Sequence, residues 1–245
     1  MAGALGLFAV GVVLGFLGAG GTSMALPVLV YLVGLDAHAA VAISILLVGG
    51  ASAYGALLNA RQGFVEWRAV RVFAPAGLAG AVLGSRCSYL LNGPALLAGF
   101  GAMVIVVGVR MLWEGEAGAG GGLQRAWVWL ALAGFGIGVI TGLLGAGGGF
   151  LLVPALVYLA GLPMRRAVAT SLVISAINSA AAFAGHAAQQ ALPWRAALVL
   201  LGCAMIGMTV GVGLSHRTEP AGLKRYFAGL LLLMGFWMLW RNIAS

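Results

Sequence analysis

Apolar segments, each expected to form a helix, succeed one another along the chain with short polar junctions between them. In the first half they run over residues 2–18, 22–35, 38–60, 68–91 and 94–113, and in the second over 126–144, 149–162, 164–187, 193–215 and 220–241. Between the halves lies 114–125, polar and glycine-rich, with the composition of a flexible linker. The expected organisation is a membrane unit over 1–113, the linker 114–125 and a second membrane unit over 126–245. The second segment of each half holds 14 residues, short of the ~20 that cross a bilayer. It is expected to be a half-helix, or one arm of a hairpin with the segment before it.

The halves repeat one another at a constant offset of 127. Gly11 and Gly15 pair with Gly138 and Gly142, Pro27 with Pro154, Tyr31 with Tyr158, and Gly34-Leu35 with Gly161-Leu162. Ser44 pairs with Ser171, Ser52 with Ser179, Trp67-Arg68-Ala69 with Trp194-Arg195-Ala196, and Gly80 and Gly84 with Gly207 and Gly211. Apolar bias alone does not place Trp-Arg and Pro in one register, so the chain is read as an internal duplication.

Each repeat carries the same interruption. Gly18-Ala19-Gly20-Gly21 returns as Gly145-Ala146-Gly147-Gly148, and each is followed by a proline six residues on. An interior glycine costs a helix about 1 kcal/mol relative to alanine. Broken helices in a bilayer are tolerated only where the freed backbone is buried in protein or lines a wet cavity. Matched breaks in two halves are the pattern of a transporter's binding site. A helix that restarts after such a break presents free N–H groups and a positive dipole end, which suits an anion. Pro27 and Pro154 fit the first turn of helices restarting near residues 25 and 152. Thr22 and Ser23 can cap in the first half, where the second half has Gly149 and Phe150. The candidate anion contacts are therefore Gly20, Gly21, Thr22 and Ser23 in one half and Gly147, Gly148 and Gly149 in the other.

Polar residues inside the other spans are few and so informative. Ser44 and Ser171 occupy equivalent positions, and Asn178 follows Ser175 by three residues. Ser44, Ser171 and Asn178 join the candidate substrate contacts, as liners of a path beside the breaks. Interhelical hydrogen bonding accounts equally well for them and better for Ser52, Asn59, Thr170 and His186. The stripes Gly11-xxx-Gly15, Gly134-xxx-Gly138-xxx-Gly142, Gly80-xxx-Gly84 and Gly207-xxx-Gly211 are expected packing faces.

Composition agrees with a polytopic membrane protein: 62% of residues are hydrophobic and 7% charged, against roughly 25% charged in soluble domains. The net charge of +8 is scattered between apolar runs, which excludes a nucleic-acid surface and points to topology signals. If each first and second segment form a hairpin, 10 of the 13 basic residues fall on the side of the linker. The junction after the second segment carries Asp36 and His38 in one half but Arg165 and Arg166 in the other, as an inverted repeat predicts. Both termini are then outside and the linker cytoplasmic, and residues 1–18 are expected to be a retained span rather than a cleaved signal. The acids Asp36, Glu66, Glu114, Glu116 and Glu219 all lie in junctions or at segment ends. That absence from the spans removes the usual intramembrane proton or sodium relay and leaves a path without carboxylates to repel an anion.

Other chemistries lack their residues. Gly18-X-Gly20 follows no strand, so it is not a dinucleotide motif. Cys87 and Cys203 are not at equivalent positions, which argues against a thiol relay. No Ser-His-Asp set, His-Glu-x-x-His motif or Cys/His metal cluster occurs, so neither an enzyme nor a metal or cofactor is expected.

Gly15-Phe-Leu-Gly-Ala-Gly-Gly-Thr-Ser-Met-Ala-Leu-Pro27 and its echo Gly142-Leu-Leu-Gly-Ala-Gly-Gly-Gly-Phe-Leu-Leu-Val-Pro154 resemble the TauE/SafE family of sulfite exporters. The stretch Gly63-Phe-Val-Glu-Trp67 and the duplicated layout extend the resemblance to nearly the whole chain. The resemblance implies a multi-pass inner-membrane permease of a prokaryote for sulfite, related sulfur oxyanions or organosulfonates. The chain departs from it at Thr22-Ser23 and at Leu192-Pro193-Trp194.

The expected fold is thus all-α, with two inverted-topology repeats of about five helical segments, each opening on a glycine-broken helix pair. The expected function is a secondary transporter that exports a small oxyanion by alternating access. Its partners are that anion and the lipid bilayer, and the glycine stripes permit a homodimer. An anion channel and a non-transporting membrane assembly partner remain alternatives at this stage.

Overall fold

The computed structural model describes residues 2–31, 33–34, 37–87, 93–113, 127–144, 148–186 and 194–244, so the linker 114–125 lies outside the described residues. Those residues are helical, with no strand among them. In chain order, α1 (Ala2–Leu17) meets a 3-10 turn (Gly18–Gly21), and α2 (Thr22–Tyr31), α3 (Ala37–Arg61), α4 (Trp67–Cys87) and α5 (Gly93–Trp113) follow. The second half has α6 (Trp127–Leu144), a 3-10 turn (Gly148–Leu151), α7 (Leu152–Tyr158), α8 (Met164–His186), α9 (Trp194–Arg217) and α10 (Pro220–Ala244). Stretches long and apolar enough to cross a membrane are Ile43–Arg61, Met164–Phe183 and Ala197–Arg217; shorter apolar helices accompany them.

The breaks occur where glycine makes helix expensive, and α2 restarts where the apolar segment 22–35 begins, three residues ahead of the start that a first-turn Pro27 would give. It begins at Thr22, because the 3-10 turn absorbs the glycines and the helix resumes at the first residue with a side chain. Pro27 therefore sits inside α2, where its missing N–H removes a helical hydrogen bond. Pro154 does lie in the first turn of α7, where no such bond is lost. That short helix ends at Tyr158, and the chain turns away at Gly161, whose φ of +65° is the left-handed conformation glycine favours. The Leu162 N–H then reaches back to the Leu156 carbonyl at 3.0 Å.

Two glycine crossings build the frame. A Cβ added at Gly11 would fall on the Ala204 carbonyl, one at Gly207 on the Phe8 carbonyl and one at Gly211 on the Val12 carbonyl. The other crossing repeats these contacts: a Cβ at Gly138 would meet the Gly77 carbonyl, at Gly80 that of Phe135, and at Gly84 that of Val139. At the offset of 127, Phe8, Gly11 and Val12 become Phe135, Gly138 and Val139, so α1 on α9 is the same joint as α6 on α4. In both, contacts advance together along the two helices, which run parallel. Backbones this close are what small residues permit in lipid, where packing rather than water expulsion drives association.

At the centre, α3 lies on α8 and α9. Gly49 faces Ser179 while Gly55 faces Leu172, so α3 and α8 are antiparallel. Gly50 faces Leu201 and Gly55 faces Met208, so α3 and α9 are parallel. Gly108 of α5 packs on Leu232 and Gly235 of α10 on Ile105, an antiparallel pair. Every residue from Ala167 to Ser175 of α8 is buried, as befits a helix enclosed on all sides. Val106, Trp129, Leu198, Ile206, Leu233 and Phe236 instead expose large apolar side chains on the outer helices. That surface suits lipid and would be a liability in water.

Candidate functional site

The first break is fixed by one side chain from the other half. Gly18 adopts φ +71°, and a Cβ there would also press on Ser171 Oγ of α8. Glycine is thus required twice, for the left-handed backbone and for the space. The next backbone N–H, that of Ala19, donates to Ser171 Oγ at 3.2 Å, and the Ser171 hydroxyl donates to its own helix at the Val168 carbonyl, 2.8 Å away. Ser171 and Ala19 are both fully buried. A freed donor of the break is therefore satisfied by protein, as a buried backbone group must be.

The two breaks meet. The turn Gly18–Gly21 packs against the turn Gly148–Leu151, and each also touches the short helix that follows the other. Their surroundings are unlike. Phe150, Leu151 and the α7 residues Leu152 through Val157 are all buried, so the second break is wrapped in apolar side chains. The first lies against the polar face of α8.

That face continues inward. Ser175 is one turn beyond Ser171, and Asn178 nearly one more, a rise of roughly 10 Å from Ser171 to Asn178. Asn178 Oδ1 is buried with no hydrogen-bond partner, as is the hydroxyl of the fully buried Ser52 on α3. Asn178 Nδ2 points to Gly77 of α4, where a Cβ would lie 4.0 Å from it. Such buried orphans are uncommon, because leaving a polar atom unpaired costs about 1–3 kcal/mol.

The structure brings several of the expected contacts together and leaves others undecided. Gly20 and Gly21 lie in the first turn, Gly148 and Gly149 open the second, and Ser171 joins the first turn to α8. Thr22 and Ser23 begin α2, but their side chains, like that of His186, lie outside the described residues, as does Gly147 altogether. Ser44 is half-buried on α3. No group of three metal-ligating side chains occurs among the described residues.

Sequence reasoning passed over a second polar cluster, at the end of the bundle where α3 and α9 finish and α8 begins. Arg165 and Arg166 there served only as topology signals, Glu66 as a junction acid within the Gly63–Trp67 stretch, and Asn59 only as a packing residue. Arg166 pairs with Glu66 at 3.6 Å, and His216 Nε2 lies 3.1 Å from Asn59 Oδ1. The opposite charges of Glu66 and Arg166, each at a junction, were the available signal.

Comparison with known proteins decides the family. The family described as Sulfite exporter TauE/SafE matches residues 3–238. The chain belongs to the TauE/SafE family. A "Probable membrane transporter protein" of Xylella fastidiosa (strain 9a5c) is 33% identical, covering 96% of this chain and 93% of the relative. In Bacillus subtilis (strain 168), "Probable membrane transporter protein YunE" is 25% identical over 98% of this chain and 97% of its own length. No solved structure matches the chain. The TauE/SafE chain is accordingly a membrane transporter with bacterial relatives, and its apolar outer surface is the part that meets lipid.

Proposed function

We propose that this TauE/SafE chain is a secondary transporter of the prokaryotic inner membrane that exports a small oxyanion, sulfite or an organosulfonate, by alternating access. The observation that carries the proposal is the meeting of the two glycine breaks beside the polar face of α8. Backbone N–H groups of residues 20–23 receive the anion, with Thr22, Ser23 and Asn178 as further donors, while the turn Gly148–Leu151 forms the apolar wall opposite. An anion bound this way needs donors and no neighbouring carboxylate. Ser171 acts by holding the first turn in shape, since its proton is spent on Val168.

The proposed architecture is two inverted repeats, 1–113 and 126–245, joined by 114–125. The antiparallel packing of the equivalent pairs α3 with α8 and α5 with α10 supports it, as does the duplicated glycine joint. Inverted repeats give two related conformations, with the site reached from either side of the bilayer.

Ligand-dependent stabilisation tests the substrate class. An anion that binds the folded protein raises its melting temperature in proportion to RT ln(1 + [L]/Kd). Sulfite is expected to raise the melting temperature of detergent-purified protein at concentrations where chloride does not. Equal shifts from sulfite and chloride would refute a built oxyanion site.

A further inference from the structure

Toward the linker end of the bundle the polar face of α8 gives way to the buried Met164, Ala167 and Val168. Around that end of α8 stand polar side chains drawn from both halves. Asn59, near the end of α3, spends its Nδ2 on the Gly55 carbonyl at 2.8 Å. Its Oδ1 is thereby turned to His216 of α9, 3.1 Å from Nε2, so that nitrogen carries the proton. Phe64 packs on the His216 ring at 5.2 Å and lies 5.7 Å from the Arg165 guanidinium. Arg165 Nη2 donates to the carbonyls of His216 and Thr218, each at 3.0 Å, the favoured place for a cation at the end of α9. One turn deeper on α8, Thr170 Oγ1 accepts the Glu66 backbone N–H at 3.0 Å, and the Glu66 carboxylate pairs with Arg166.

Thr170 is the residue before Ser171, so this tie joins α8 within one residue of the side chain that anchors the first break. The opposite end of the molecule cannot copy the ties of Glu66 or the ring of Phe64. At the offset of 127, Glu66 becomes Pro193, Thr170 becomes Ile43, Arg166 becomes Ala39 and Phe64 becomes Ala191. Proline has no N–H to donate, isoleucine no hydroxyl, and alanine neither charge nor ring. The duplication that preserves the glycine joints has not preserved this cluster.

We propose that Asn59, Phe64, Glu66, Arg165, Arg166 and His216 form a gate, closed in this structure, that seals the linker end of the polar face of α8 and whose Glu66–Arg166 pair and Glu66–Thr170 tie the equivalent residues of the other repeat cannot make. The inference rests on the transport reading. Its ties are individually weak, the half-exposed ion pair weakest of all, which suits contacts that part in every cycle. Phe64 and His216 supply the bulk, and the polar ties set the register in which that bulk closes.

Side-specific thiol labelling tests the gate without any measurement of flux. The protein carries Cys87→Ser and Cys203→Ala, with Ser175→Cys as the buried reporter and, in a separate sample, Gln62→Cys as the marker of the linker face. A membrane-impermeant maleimide is applied to membrane vesicles from that face. Ser175→Cys is expected to react slowly when the gate is intact and about tenfold faster with Glu66→Gln and His216→Leu together, as a shift in the closed population would give. Glu66→Gln alone keeps every buried contact and is expected to move the rate in the same direction by less. Unchanged rates in both variants would overturn the gate. A second arm joins Phe64→Cys to His216→Cys through a short bis-methanethiosulfonate reagent. Sulfite flux in proteoliposomes is expected to stop on cross-linking and return with reductant, and flux that ignores the cross-link would also overturn the gate. If the wild-type protein carries no sulfite, that failure belongs to the transport reading, and the labelling rates still decide the gate.

Discussion

The joint of α1 on α9 and the joint of α6 on α4 are one design used twice, whereas the two ends of the α3–α8 pair are not. In the joints, Gly11 and Gly138, Gly80 and Gly207, and Gly84 and Gly211 each meet equivalent carbonyls. Along α3 and α8, the linker end carries the Asn59–His216 bond and the Glu66–Arg166 pair, and its equivalent positions hold residues that cannot make the same ion pair or backbone tie. The two breaks differ in the same way, one held by Ser171 and the other wrapped by Phe150 and Leu151. The contrast separates frame from function. Packing of two backbones demands the same small residue in both copies, while a path with a direction needs its two sides to differ.

The largest expected effect falls on the frame and is equal in both copies. Gly80→Leu and Gly207→Leu each drive a side chain into a carbonyl of the partner helix, at a cost of about 1–3 kcal/mol or more. Both should sharply reduce the yield of monodisperse protein, and an unequal loss would break the equivalence of the joints. Gly202→Ala is the control, because a Cβ there meets nothing within 4 Å. It should raise thermal stability by about 0.5–1 kcal/mol through helix propensity.

The next effects concern the first break. Gly18→Ala combines a left-handed backbone, about 1–2 kcal/mol for a residue with a Cβ, with a clash against Ser171. It should lower the melting temperature more than Gly136→Ala, whose added Cβ would meet open space. Ser171→Ala removes the hydroxyl that accepts the buried Ala19 N–H, an expected loss of about 1–3 kcal/mol. Ser171→Thr keeps that acceptor and should fall between wild type and alanine in the same melting assay.

The smallest stability effect belongs to Asn178. Its Oδ1 has no partner to lose, so Asn178→Leu should leave the melting temperature unchanged or raised, by up to about 1 kcal/mol of recovered desolvation. Its effect on transport should be the opposite. A residue that costs stability and supports flux is the signature of a site, whereas a packing residue would lose both together.

How much of this the sequence discloses depends on whether a feature is local. The breaks were legible, because three glycines in four positions disfavour helix wherever they stand. The glycine joints were legible as packing faces because the spacing of four sits on each helix by itself. The apolar segment beginning at residue 22 matched the start of α2 at Thr22, but the start near residue 25 drawn from Pro27 did not, since the rule placing proline in a first turn ignored the 3-10 turn that takes up the glycines. The cluster at the linker end was the hardest to read. Arg165 binds backbone carbonyls 51 and 53 residues away, and a carbonyl leaves no mark in the sequence. Ser171 was picked out by its polarity, but its bond to Ala19 spans 152 residues and is a product of tertiary packing alone.

The most direct test of the account is uptake of labelled sulfite into proteoliposomes, wild type beside Asn178→Leu at matched folded protein. The account predicts saturable uptake by the wild type, competed by unlabelled sulfite more effectively than by chloride, and a loss of that uptake in a variant that melts no lower. Uptake no greater than in empty liposomes, or identical saturable uptake in both proteins, would contradict it.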